Sequence, residues 1–246
     1  QRINWGQTFV WNPNDIFNAY SFFDVDYVER PGSDAVRLQY YPTSSSAVEL
    51  AAKMDCDNKI TVAGLGRFNR WGYDFQFLAG YADNTDIVAG AGWSGALGSV
   101  SFRGEGSWFH PLESFRDTSG TMIITAGIDK VFENNSLAQI QIMYCNNPLN
   151  PGNFNSLFTG KMSAKDLAFS EFTAFGQFTL AATPLLNLSV SAMWFPDMKG
   201  YFTGPSVDYS LAENLDFSLI WQHFKGEMGG TDTRLNLVYL RIKQSF

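Results

Sequence analysis

The chain has 246 residues, of which 45% are apolar, 16% aromatic and 17% charged, with a formal net charge of −7. Charge is sparse beside the roughly 25% of an average soluble domain, and the acidic balance argues against the basic face a nucleic-acid-binding protein carries. No run reaches the ~18 consecutive apolar residues of a transmembrane helix. Gln1-Arg2-Ile3-Asn4-Trp5 has neither the basic nor the apolar region of a signal peptide, so a mature or truncated form of an exported protein is expected.

In chain order, residues 1–5 alternate and are expected to be a strand. Residues 6–32 follow as a long aromatic connection. Asn12 before Pro13, with Asp15 close behind, has helix-start chemistry, and Tyr20, Phe22, Phe23 and Tyr27 are too apolar for a freely solvated loop. Residues 33–42 then place Val36, Leu38 and Tyr40 on one face against Arg37 and Gln39 on the other. The same two faces recur at 47–55, 59–68, 73–82, 86–94, 99–109, 120–132, 136–145, 168–181, 186–195, 201–211, 215–224 and 234–246. Period-2 alternation of this length is the strand signal, and ~9–11 residues suffice for a tilted strand to cross a bilayer.

In hydrocarbon every backbone polar group must be paired internally, so only helices and closed barrels span. The pattern excludes helices. The predicted fold is therefore all-β: a transmembrane antiparallel up-and-down β-barrel of about fourteen strands, as a single domain over 1–246. Connections near 43–46, 69–72, 95–98, 133–135, 182–185 and 212–214 are short. Those at 6–32, 110–119, 146–167 and 225–233 are long, the asymmetry expected between periplasmic turns and outer loops. Trp108, Trp194 and Trp221 fall at outer strand ends, and Phe68, Trp71, Phe132 and Phe246 at inner ends, as interfacial girdles require.

The last thirteen residues, Arg234 to Phe246, put Val238, Leu240 and Ile242 opposite Leu237, Tyr239, Arg241 and Lys243 and end on an aromatic. They resemble the closing strand of Gram-negative outer-membrane β-barrels. That resemblance implies recognition by the barrel-assembly machinery through the strand ending at Phe246, an outer-membrane lipid environment and a periplasmic C-terminus. Gln244 departs from the pattern, which has an apolar residue there. Arg2 to Gly6, Trp11-Asn12-Pro13 with Asp15 and Phe17, Glu29-Arg30-Pro31-Gly32 and Asp34 to Arg37 are similar to a motif block of uncharacterised porin-like outer-membrane proteins. In that family the block is expected after earlier strands, which would make the complete barrel about sixteen to eighteen strands.

The strand phase assigns Arg2, Arg37, Arg67, Arg103, Glu105, Asp74, Asp129 and Arg241 to the lumen as pore-lining residues. Within the 6–32 loop, Trp11, Asp15, Phe17 and Tyr20 are the candidate constriction. Catalysis is not expected. His110 and His223 are the only histidines and converge with no Ser or Asp by spacing, and neither metal nor cofactor has a clustered ligand set. Cys56 and Cys145 lie about six strands apart and are expected unpaired. The predicted function is a porin-like outer-membrane channel for passive diffusion of small polar solutes. The alternative is a plugged, non-conducting barrel with a structural or surface-binding role and an envelope protein partner. In that case residues 146–154 and 225–233 would make the contacts.

Overall fold

The structure is a computed structural model and describes residues 3–20, 22–23, 34–55, 57–113, 115–116, 118–149, 162–228 and 230–245. Among them thirteen strands form one sheet: β1 (Ala35–Thr43), β2 (Ser46–Met54), β3 (Ile60–Arg70), β4 (Tyr73–Ala82), β5 (Asp86–Leu97), β6 (Val100–Pro111), β7 (Thr121–Val131), β8 (Leu137–Cys145), β9 (Phe172–Thr183), β10 (Leu186–Phe195), β11 (Gly200–Ala212), β12 (Leu215–Met228) and β13 (Thr231–Gln244). Spatial order equals sequence order, and each neighbouring pair is antiparallel. This is the meander of an up-and-down barrel wall. Being both odd-numbered, β1 and β13 run in the same direction, and they are not joined to each other.

Alternation produces the two faces. The convex face carries Val36, Leu38 and Tyr40 on β1, Ile140 and Ile142 on β8, and Val238, Leu240 and Ile242 on β13, all exposed. Trp108 and Trp194 stand exposed toward one rim, and Phe68, Trp71 and Phe132 toward the other. Trp221, expected at an outer strand end, lies in the middle of β12 because that strand runs on to Met228. Phe246 lies outside the described residues. At the second rim the strands join by tight turns. Trp71 (φ 55°) and Gly72 (φ 79°) make the two-residue connection between paired Arg70 and Tyr73, the left-handed pair whose twist matches a hairpin. The first rim collects the longer connections, including 112–120 and 146–171.

Three expectations need correction. Residues 3–5 are not a strand, so the described count is thirteen rather than fourteen. Ile3 and Trp5 are fully buried against the concave face instead. So short an alternating segment looks the same whether it pairs with a strand or lies extended on a wall, and here the wall supplies the partners. Residues 225–233 are not a long loop. β12 and β13 continue as a ladder through Glu227↔Asp232 to Met228↔Thr231, and Gly230 (φ 79°) makes the turn. Glycines at 226, 229 and 230 had masked the alternation. Asn12-Pro13 starts no helix: Asp15 N–H donates to the Asn12 carbonyl (3.0 Å) and Asn18 N–H to that of Asp15 (3.3 Å), giving two successive turns.

The packed core lies on the concave side. One cluster joins Ile3, Trp5, Ile16 and Phe17 to Ala51, Ala63, Leu65, Leu78, Val88 and Phe109. The other joins Val10, Trp11 and Phe23 to Ile123, Met143, Phe175, Met193, Phe202 and Phe224, with Leu167, Ala168 and Phe169 from the 146–171 connection. The strand expected over 168–181 begins only at Phe172, so Ala168 and Phe169 belong to the connection. Its described second half folds inward because Leu167, Ala168 and Phe169 are apolar and find this cluster.

Candidate functional site

Residues 3–20 cross the concave face as a strap with no strand structure, so its backbone groups need other partners, since buried ones are almost always bonded. The wall provides them from strand after strand. Glu49 on β2 accepts from Trp5 Nε1 (3.0 Å), and Gln76 Nε2 on β4 donates to the Trp5 carbonyl (2.7 Å). Glu105 on β6 accepts the N–H of Gln7 (2.6 Å) and of Asn14 (3.4 Å). Gln141 on β8 accepts from Val10 N–H (2.9 Å) and donates to the Trp11 carbonyl (3.1 Å). Lys53 Nζ donates to the Phe17 carbonyl (2.9 Å), and Gln222 Nε2 on β12 to that of Phe23 (3.4 Å).

Glycines let the strap approach. A Cβ at Gly90 would stand 2.5 Å from Asn14 Oδ1, and one at Gly92 would stand 2.8 Å from Gln7 Oε1. Asn14 fills the notch, donating to the Ala91 carbonyl (3.1 Å) and accepting from Ser107 Oγ (2.7 Å).

Register shows a polarity step along the wall. Level with the strap, cross-strand neighbours on the concave face run Gln141, Phe175, Met193, Phe202, Phe224 and Leu235 from β8 to β13. Two residues toward the short-turn rim, the row becomes Asp129, Gln139, Gln177 and Ser191 across β7 to β10. Beyond it lie Thr179, Ser189 and Ser206, then Asp208, Ser218 and Arg241. Across β8 to β13 the concave side is thus apolar toward the long connections, and toward the short turns it forms a largely polar chamber, with Ile220 and Tyr239 at its β12–β13 end.

Of the residues assigned to the pore by phase, Arg37, Arg67, Asp74, Arg103, Glu105, Asp129 and Arg241 share the concave face with these rows. Arg2 lies outside the described residues. Arg37 meets Glu49 at 2.6 Å, Arg67 approaches the same carboxylate at 3.8 Å, and Arg103 meets Asp129 at 3.0 Å while its guanidinium stacks over Phe9 at 4.5 Å. Asp74 accepts from Asn69 Nδ2 (2.8 Å). Arg103 and Glu105 do not pair with each other: the arginine turns to β7 and the glutamate is buried under the strap.

Within the strap, Trp11 and Phe17 are buried, one in each apolar cluster, and Phe17 packs edge-on against Trp5 at 4.8 Å. Asp15 is buried, and Tyr20 donates its hydroxyl to the Phe9 carbonyl (3.2 Å). Gln76, Gln141 and Asn14, which hold the strap most directly, were not singled out by the sequence reading. Their only sequence signal is that both glutamines sit in the inward phase. At the long-connection rim a cavity of about 500 Å³ opens between residues 16–19 and 162–166, with Lys53, Lys59, Asp83, Asp86 and Lys165 on its walls. Lys165 closes part of it by its contact with Asp86 at 2.7 Å.

No family model and no curated protein matches the chain. Solved structures do. The chain is similar to the crystal structure of Pseudomonas aeruginosa OccK10 (OpdN), with a TM-score of 0.59 at 9% identity over 85% of this chain and 72% of that one. It is likewise similar to the crystal structure of Acinetobacter baumannii OccAB3, with a TM-score of 0.54 at 12% identity over 84% of this chain and 67% of that one. At such identities the likeness concerns the fold, and the fold is that of an outer-membrane β-barrel wall.

Proposed function

We propose that this chain forms the wall of a porin-like channel in the outer membrane of a Gram-negative bacterium, passing small polar solutes by passive diffusion. The polar chamber beneath the strap carries the reading: a wall that is apolar outside and polar inside is the build of a water-filled barrel. The strap, with Trp11, Asp15, Phe17 and Tyr20, sets the bore. The cavity at the long-connection rim is the outer entrance, and Arg37, Arg67, Asp74, Arg103, Asp129 and Arg241 line the inner path. The short turns and the C-terminus face the periplasm, and the last strand through Phe246 is the element the barrel-assembly machinery reads. No catalytic step is assigned to the chain.

Reconstitution tests this. Liposomes carrying the protein should swell in small polar solutes at rates that fall with solute size, and planar bilayers should show discrete conductance steps. Swelling no faster than in protein-free liposomes would reject the channel. A second reading is favoured by one observation: the two apolar clusters weld the strap to the wall. In that reading the barrel is plugged, and the connections at the outer rim bind an envelope partner. It predicts silence in the same bilayers.

A further inference from the structure

We infer that the chamber is built for neutral, hydroxyl-bearing solutes rather than for ions of one sign. This rests on the channel reading above. The arginines that reach the chamber from β1, β3 and β6 are already engaged, with Arg37 and Arg67 at 2.6 and 3.8 Å from Glu49 and Arg103 at 3.0 Å from Asp129. Ion selectivity in a pore comes from rings of charge of one sign that face the permeant species, and the other concave-face charges, Asp74, Asp208 and Arg241, are of both signs and form no such ring.

Between Asp129 on β7 and Asp208 on β11 lies a stretch of wall without charge. β8, β9 and β10 are three adjacent strands whose sequences contain no Asp, Glu, Lys or Arg. Below the apolar step they offer amides and hydroxyls instead. Gln139 Nε2 donates to Gln177 Oε1 (2.7 Å), and the hydroxyls of Thr179 and Ser189 are 2.9 Å apart. All four side chains are half-buried, so each still meets the chamber.

An amide presents two donors and two acceptor lone pairs, and a hydroxyl one donor and two lone pairs. Each pair therefore keeps sites of both kinds after bonding internally. A sugar hydroxyl donates and accepts in the same way and can exchange its water for these groups. An ion moving along this stretch gives up hydration and meets charge only at its edges, at Asp129 and Asp208, which is the costly case. Were the pairs only stiffening the sheet, removing one amide would leave the relative rates of sugar and salt unchanged.

The test uses the full chain in liposomes and planar bilayers. In a potassium chloride gradient the zero-current potential should correspond to a cation-to-anion permeability ratio within about twofold of one. Swelling in a neutral monosaccharide should outpace swelling in lysine or glutamate salts of similar size. Gln177→Leu should slow monosaccharide swelling severalfold while potassium chloride conductance stays the same. Gln177→Glu should move the zero-current potential toward cation selectivity. A wild type with strong selectivity for either sign, or charged solutes entering faster than the sugar, would overturn the inference while leaving the channel intact. Silence toward every solute and salt would overturn both.

Discussion

Glu105 shows how a single side chain decides the inner architecture. Its buried carboxylate accepts two strap N–H groups, from Gln7 and Asn14. Glu105→Ala leaves both donors without that acceptor. Leaving a buried donor unsatisfied costs about 1–3 kcal/mol, so chemical unfolding in detergent should show a loss of at least that size, together with noisier conductance as the strap loosens. Gly90→Leu attacks the same contact from the other side, because any side chain there collides with Asn14, Ser107 and Leu78. It should displace the strap and raise conductance, while the protein still folds to the same heat-modifiable band on a gel. Arg103 and Glu105 are legible in the sequence as inward residues because strand phase fixes which way they point. Their partners are not, since Gln76 reaches a carbonyl 71 residues away and Gln141 one 130 residues away. A glutamine in the inward phase reads simply as a solvated residue.

At the scale of the element, alternation was enough to locate each of the thirteen strands. It fixes side as well as position, and this gives a direct contrast. Ile142→Arg puts a charge on the exposed convex face of β8, where an arginine near the bilayer midplane costs about 2–4 kcal/mol. Ser189→Arg puts the same charge in the polar chamber and should leave stability within experimental error. Unfolding midpoints in lipid vesicles check the pair, and equal losses would contradict the assignment of faces. The strap was harder to read. It has neither a period of two nor one of 3.6, so no pattern foretells its path, and Asn12-Pro13 fits a turn as well as a helix start. Its burial was legible only as an excess of aromatics that a solvated loop would not tolerate. The end of β12 was lost for the opposite reason: Gly226, Gly229 and Gly230 remove the side chains by which alternation is seen.

For the whole molecule, the wall and its contents divide the work. The sheet gives a convex surface suited to lipid, and the strap with residues 162–169 fills one half of the concave side with apolar groups. What remains open is a polar chamber toward the short turns and a cavity of about 500 Å³ at the other rim. Strand phase assigns charged residues of both signs to the lumen, such as Arg103 and Asp129. The apolar half was written in the sequence too, as Leu65, Leu78, Met143, Phe175, Met193 and Phe202 standing in the inward phase. Nothing local says what covers them, because their partners lie in residues 3–20 and 162–169, far away along the chain.

The central claim, a barrel channel whose bore the strap sets, is tested most directly by single-channel conductance of the full chain beside a variant lacking residues 8–20. The account predicts discrete openings in the full chain and a severalfold larger step in the variant, at unchanged heat-modifiability. A full chain that never opens, or a correctly folded variant whose conductance equals that of the parent, would contradict it.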